Sequence, residues 1–179
     1  MLAYINMNID QLMQNIGSVL SSDLLTPKYA RLERRSPTEG HCYAAAEALY
    51  HILGGKQNGY TPCVASFVEN EQTFTHWWIR DREGKIWDPT QSQFTSIGQS
   101  VPYHLGRGAG FLTGLPSKRA VIIINRLRQK NLIEFEFEHI LAHRNCKLLN
   151  SITGLGNQNS IQVTSENTNK ASGRKKFIR

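Results

Sequence analysis

Little in this chain points to export or to a membrane. Its start, MLAYINMNIDQLMQ, lacks a basic n-region and is interrupted by Asp10, and the longest uninterrupted apolar run, Ala120 to Ile124, is far too short to cross a bilayer. A soluble, unexported, cytoplasmic protein is the expectation. Cysteine is scarce as well: Cys42, Cys63 and Cys146 make an odd set with no C-x-x-C pair, which argues against a disulfide framework and suits a reducing compartment. Each is therefore read as a free thiol. Aromatic residues make up only 9%, yet all three tryptophans fall within one stretch, THWWIRDREGKIWDPT, from Thr75 to Thr90. No internal repeat is present. With 179 residues the chain is long enough for one domain with its own core and too short for two comfortable ones.

Acidic residues are in deficit, and the formal net charge of +7 suggests nucleic acid until it is divided along the chain. From Asn150 onward five basic residues (Lys170, Arg174, Lys175, Lys176, Arg179) face the single acid Glu166, so the last thirty residues carry +4 and the rest only +3. Phosphate neutralisation needs a basic face rather than a basic thread, so no nucleic-acid partner is expected beyond weak tail contacts. The tail is rich in Asn, Ser, Thr and Gly with few large apolar residues, and is read as disordered or loosely attached. The expected organisation is a single α+β domain over 1–149 and a flexible basic tail over 150–179.

Hydrophobic periodicity supplies the elements. Ile9, Leu12, Met13, Ile16, Val19 and Leu20 recur at helical spacing behind Asn8 as a cap, and Thr26-Pro27 closes that helix. KYARLERRSPTEG reads as an irregular basic connection. In CYAAAEALYHILGG, Cys42, Ala45, Ala46, Leu49, Ile52 and Leu53 form one stripe in an alanine-rich helix that Gly54 and Gly55 stop. CVASFVEN, THWWIR and KIWDPT follow as strands, the last two joined by a hairpin turn within Asp81 to Gly84. YHLGRGAGFLTGLPSKRA is punctuated by glycines. SKRAVIIINRLRQK runs as a serine-capped helix or as a strand, and IEFEFEHI alternates as a strand with helix left open.

Two of these elements carry chemistry. Cys42 falls in the first turn of its helix, where unpaired N–H groups and the positive end of the dipole favour a thiolate. A thiolate–histidine pair needs a third group to orient the imidazole, and a histidine on one strand with an aspartate on its hairpin partner supplies one. His76 and Asp88 are those residues. With Arg82 and Glu83 centring a two-residue turn, however, the pairing sets His76 against Pro89 and Trp77 against Asp88, one position out of step. A bulge or a different loop would bring them level.

The order cysteine, histidine, aspartate, with GHCYAAAEALYHILGG as the nucleophile helix, HWW as the histidine strand and G-K-I-W-D-P-T as the acid strand, resembles the transglutaminase-like and arylamine acetyltransferase-like branches of the papain-like thiol enzymes. The resemblance covers roughly a third of the chain. It implies a papain/transglutaminase-like fold, N-terminal helices followed by an antiparallel sheet, with Cys42 as nucleophile, His76 as general base and then acid, and Asp88 as the orienting carboxylate. Two features depart from that pattern. No glutamine lies shortly upstream of Cys42 to donate to an oxyanion, which leaves the Cys42 backbone N–H and an unidentified second donor. The region after Gln93 matches nothing in those families.

The expected function is acyl transfer through a thioester, resolved by water (an amidase, peptidase or deamidase) or by an amine (a transglutaminase-type transferase). Its substrate would be a peptide, a protein or a small amide or acyl compound. No cofactor is implied. The alternative is a catalytically silent binding module on the same fold, holding an anionic or nucleotide-like small molecule or acting as a protein-interaction inhibitor. The candidate substrate-binding residues are His41, Trp78, Trp87, Gln91, Lys118 and Arg119. Trp78 and Trp87 are expected to wall the site while Trp77 is core. Ser117, Lys118 and Arg119 offer a dipole and charge to an anion, although the bland reading is a glycine-hinged loop covering the site. His51 is expected at the surface. His139, His143 and Cys146 have H-x3-H-x2-C spacing but no fourth ligand, so no metal site is assigned.

Overall fold

The structure is a computed structural model, and it describes residues 8–69 and 71–133. Apart from Ile133 itself, the segment read as a strand from Ile133 onward, together with the H-x3-H-x2-C motif and the basic tail, lies outside the described residues. What is described is an α+β arrangement of helices and one antiparallel sheet. No described helix is long and apolar enough to cross a membrane.

Helix α1 spans Ile9–Ser18, and Asn8 caps it as expected, its side-chain oxygen accepting from the backbone N–H of Asp10 at 3.0 Å and of Gln11 at 3.2 Å. The chain after it is less irregular than its composition suggests. A 3-10 turn runs over Ser22–Leu24, and Pro27, expected as a terminator, instead opens the short helix α2, Pro27–Ala30. Proline suits a first helical turn, where its missing N–H has no partner to lose.

Helix α3, Cys42–Ile52, is the central element. Ala44, Ala45, Ala46, Ala48 and Leu49 are all fully buried. Alanine favours the helix because it loses no side-chain entropy, and its small size lets other elements approach on several sides. Those neighbours are α1, the strand β2 (Gln72–Arg80), and helix α5, Lys118–Gln129, which settles the ambiguous apolar run as helix. Leu12, Ile16, Ile123, Ile124 and Leu127 complete this core, each at most 1% exposed. At about 25 cal/mol per Å² of apolar surface removed from water, burial of this kind is the main stabilising contribution.

The sheet has the order β3-β2-β1-β4, with β1 at Thr61–Glu69, β3 at Ile86–Trp87 and β4 at Arg107–Gly108. β4 was not foreseen: the glycine-punctuated segment adds an edge strand, pairing Gly108 with Cys63 and Arg107 with Val64. Just before it, a 3-10 turn at Tyr103–Leu105 brings Tyr103 onto the small cluster of Cys63, Ala65 and Trp78. Gly106 makes that approach possible, since a Cβ there would lie 2.3 Å from the Trp78 ring.

The β2–β3 hairpin corrects the expected register. Ile79 pairs with Trp87 and Arg80 with Ile86, and the Asp81 N–H donates to the Lys85 carbonyl at 3.1 Å. The loop is therefore three residues, Arg82, Glu83 and Gly84, rather than two. Gly84 takes the left-handed conformation (φ 86°) that such a loop requires. Because strand side chains alternate, this one-residue change turns Asp88 to the face of the sheet that carries His76.

Candidate active site

Helix α3, strand β2 and the turn after β3 converge on one cluster. Cys42 opens α3 and is 6% exposed, His76 lies in β2 at 1%, and Asp88 follows β3 at 4%. The His76 Nε2 and the Asp88 Oδ2 are 2.6 Å apart, with both side chains buried. The longer loop thus removes the mismatch of faces without a bulge: the register continues with Asp88 across from Trp78, two residues along β2 from His76 and on the same face.

Asp88 is fixed from three further directions. Its Oδ1 accepts from the Thr90 backbone N–H at 2.9 Å and from the Thr90 hydroxyl at 3.1 Å, which closes a local turn across Pro89. Its Oδ2 also accepts from the Tyr103 phenol at 2.9 Å. The carboxylate is consequently held in one orientation toward the imidazole. Burial and the neighbouring carboxylate raise the Tyr103 pKa, so the phenol stays a donor.

Burial by itself would lower the pKa of His76, but the bond to Asp88 and the nearby Cys42 sulfur outweigh it and raise the imidazole from 6.5 to about 9. The Cys42 Sγ lies 3.6 Å from the Thr75 carbonyl oxygen, to which its thiol donates. The other ring nitrogen of His76, Nδ1, is 2.7 Å from the Gln93 side-chain amide nitrogen. Phe94, in helix α4 (Ser92–Thr95) with Gln93, meets the imidazole edge-to-face at 4.9 Å, and Trp78 stacks along it at 5.8 Å.

The expected substrate contacts distribute unevenly. Trp78 joins His76, but as the core tryptophan, 2% exposed, whereas Trp77, expected as core, is half-buried on the other face against Tyr43 and Phe111. Trp87 sits on that second face too, opposite Ile79; its indole donates to Asp81 at 3.0 Å and Lys85 lies 3.8 Å over its ring. Gln91 is exposed at the start of α4, and it is Gln93, two residues on, that reaches the imidazole.

His41 is completely buried beside Cys42, with no hydrogen-bond partner for either ring nitrogen among the described residues, and burial together with the Arg34 and Arg119 charges lowers its pKa to about 4. His51, expected at the surface, is half-buried, and burial takes it to about 4 as well.

At the start of α5 the anion already belongs to the chain. The buried Glu47 carboxylate of α3 accepts from the Ser117 backbone N–H at 3.0 Å and from the Ser117 hydroxyl. Lys118 is exposed, and Arg119 donates to the Leu24 carbonyl at 3.3 Å and lies over the Tyr43 ring. A cavity of about 360 Å³ lined by Leu20, Ser21, Arg34 and Arg35, among others, includes none of the candidate residues. Among the described residues no group of three or more His, Cys, Asp or Glu side chains is arranged to hold a metal.

Gln93 and Tyr103 are the site residues that sequence reasoning missed. Neither belongs to a motif; one is carried in by a four-residue helix and the other by a 3-10 turn that docks on Trp78. Comparison with family models, with curated proteins and with solved structures finds no match to this chain.

Proposed function

We propose that this protein is a thiol acyl-transfer enzyme in which Cys42, His76 and Asp88 form a catalytic triad on a papain-like, transglutaminase-like framework. The observation that carries the reading is the buried His76–Asp88 pair at 2.6 Å beside a cysteine in the first turn of a helix. A buried imidazole–carboxylate pair loses the hydration of both groups, so a purely structural role is a poor use of it. An imidazole of raised basicity next to a thiol is, by contrast, what nucleophilic sulfur chemistry requires, a base to take the thiol proton.

On this reading the reaction runs as follows. Starting from the neutral imidazole, His76 takes the Cys42 thiol proton on Nδ1 and becomes the imidazolium that Asp88 faces, and the thiolate attacks a carbonyl carbon, moving the π electrons onto the carbonyl oxygen. The Cys42 backbone N–H, which has no i−4 partner at the helix start, is one donor to that oxyanion. Collapse breaks the bond to the leaving amine, which takes the Nδ1 proton and leaves a thioester. Water then attacks the thioester with His76 as base and returns the free thiol. Asp88 accepts from Nε2–H throughout. Hydrolysis rather than amine transfer is favoured because it needs no dedicated pocket for a second substrate.

The test is acylation by an activated ester. Incubation with p-nitrophenyl acetate should add one acetyl group to Cys42, seen by intact mass and peptide mapping, and the adduct should decay on further incubation. The Cys42→Ser and His76→Ala proteins should not form it. Labelling of Cys63 in preference to Cys42 would count against the proposal.

A further inference from the structure

The thiol–imidazole step just described needs His76 Nδ1, and in the structure that atom is already engaged. An imidazole nitrogen has a single in-plane hydrogen-bonding position, filled by either a lone pair or an N–H. At Nε2 it is filled by Asp88, 2.6 Å away; at Nδ1 it is filled by the Gln93 amide, 2.7 Å away. The Cys42 thiol meanwhile donates to the Thr75 carbonyl.

Gln93 is delivered to this position by its local framework. Thr90, locked onto Asp88, starts the turn that leads into α4, and the Thr38 and Ser92 hydroxyls, 2.9 Å apart, pin the helix to the loop before α3. Phe94 seats the helix against the imidazole. The Gln93 side chain itself is held loosely. It is half-buried, and among the described residues its amide nitrogen has, apart from His76, only a long contact, 3.4 Å, to the Thr90 hydroxyl.

We propose that Gln93 is a positioning residue that latches the resting imidazole by its Nδ1 and competes with the Cys42 sulfur for that atom, so that the nucleophile is armed only when the Gln93 amide swings away. The latch works in either protonation state, because the amide can present its NH2 to a lone pair or its oxygen to an N–H. No covalent bond changes in the step. It exchanges one hydrogen bond at Nδ1 for another, and one neutral hydrogen bond sets its size. The inference rests on the Cys42–His76 reading of the site.

Two substitutions with opposite expected effects test it. Gln93→Leu keeps the bulk and removes both hydrogen-bonding groups, so Nδ1 is free for Cys42; iodoacetamide should alkylate Cys42 about threefold to tenfold faster at pH 7 than in the parent protein. Gln93→Glu places a carboxylate on Nδ1, which claims the imidazole proton and repels a thiolate; alkylation should fall below that of the parent protein. A packing role alone moves both variants in the same direction, and that result would overturn the proposal. Nitrogen-15 spectra of His76 in a Cys42→Ala background give a readout independent of the thiol. The Nδ1 resonance should shift on adding Gln93→Leu, and an unchanged resonance also overturns the latch. If the resonance shifts while Cys42 alkylates no faster than Cys63 in any variant, the thiol–imidazole pairing itself fails, and the latch loses its role with it.

Discussion

Asp88 is the residue on which most of the site depends. Four donors converge on its two oxygens: the Thr90 N–H, the Thr90 hydroxyl, the Tyr103 phenol and His76 Nε2. Replacing it by asparagine keeps the shape and removes the charge that counters desolvation of the imidazole. The His76 pKa should then fall from about 9 to near or below 6.5, as read from the imidazole resonances in a pH titration. A His76 that still titrates near 9 in Asp88→Asn would mean that something other than this carboxylate raises it. Gly106 is the second sensitive position. Its φ suits any residue, but an added methyl would lie 2.3 Å from the Trp78 ring and 2.9 Å from the Tyr103 carbonyl oxygen. Gly106→Ala should therefore destabilise the fold by about 1–3 kcal/mol in urea unfolding, the usual cost of overpacking. Because Tyr103 also holds Asp88, the same change should perturb His76.

Elements explain what the sequence could and could not reveal. Helices α1 and α3 were legible because Asn8 is a strong cap and because four alanines in an eleven-residue helix leave little alternative. Strands β1 and β2 were legible as short runs of strand-forming residues bounded by turns, and with them the order of Cys42, His76 and Asp88. The hairpin loop was not. Its length turns on whether Gly84 lies inside or outside the loop, a choice that composition leaves open and that decides which face Asp88 presents. The assignment of core to Trp77 rather than Trp78 failed for a related reason: adjacent strand residues face opposite ways, and which face is more deeply covered depends on Tyr103 and α4, remote in sequence. Gln93 and Tyr103 escaped notice because short helices carry no periodic signal. Helix α5 illustrates a different point. Its basic N-terminus resembled an anion site, and the anion is Glu47 of the same chain. Glu47→Ala would leave the Ser117 N–H without that acceptor and open a cavity beside α3. A loss of about 2–4 kcal/mol in urea unfolding is expected, with α5 the first helix to lose hydrogen-exchange protection.

At the scale of the whole molecule, the three buried or half-buried histidines among the described residues give stability a two-sided dependence on pH. His41 and His51 have folded pKa values of about 4, so between pH 6.5 and 4 the unfolded chain binds protons that the folded chain refuses. Their contribution is complete above 6.5 and lost as pH falls through that window. His76 acts in the opposite sense: raised to about 9, it contributes fully below 6.5 and loses that contribution as pH rises to about 9. The urea midpoint should therefore peak near pH 6.5, and Asp88→Asn should flatten only the alkaline side. A midpoint that is level from pH 6.5 to 9 in the parent protein would show that His76 does not carry the raised pKa.

The same molecule contains its own control for the central claim. Cys63 is as buried as Cys42, but burial raises its thiol pKa, opposed only by the charge of Arg80 among the described residues. The decisive measurement is the rate of iodoacetamide alkylation of each cysteine, resolved by peptide mass spectrometry between pH 5 and 9, in the parent protein and in His76→Ala. The triad predicts that Cys42 reacts at least about tenfold faster than Cys63 near neutral pH and that His76→Ala abolishes the difference. Equal, slow reactivity of the two thiols, rising together only above pH 8, would contradict it.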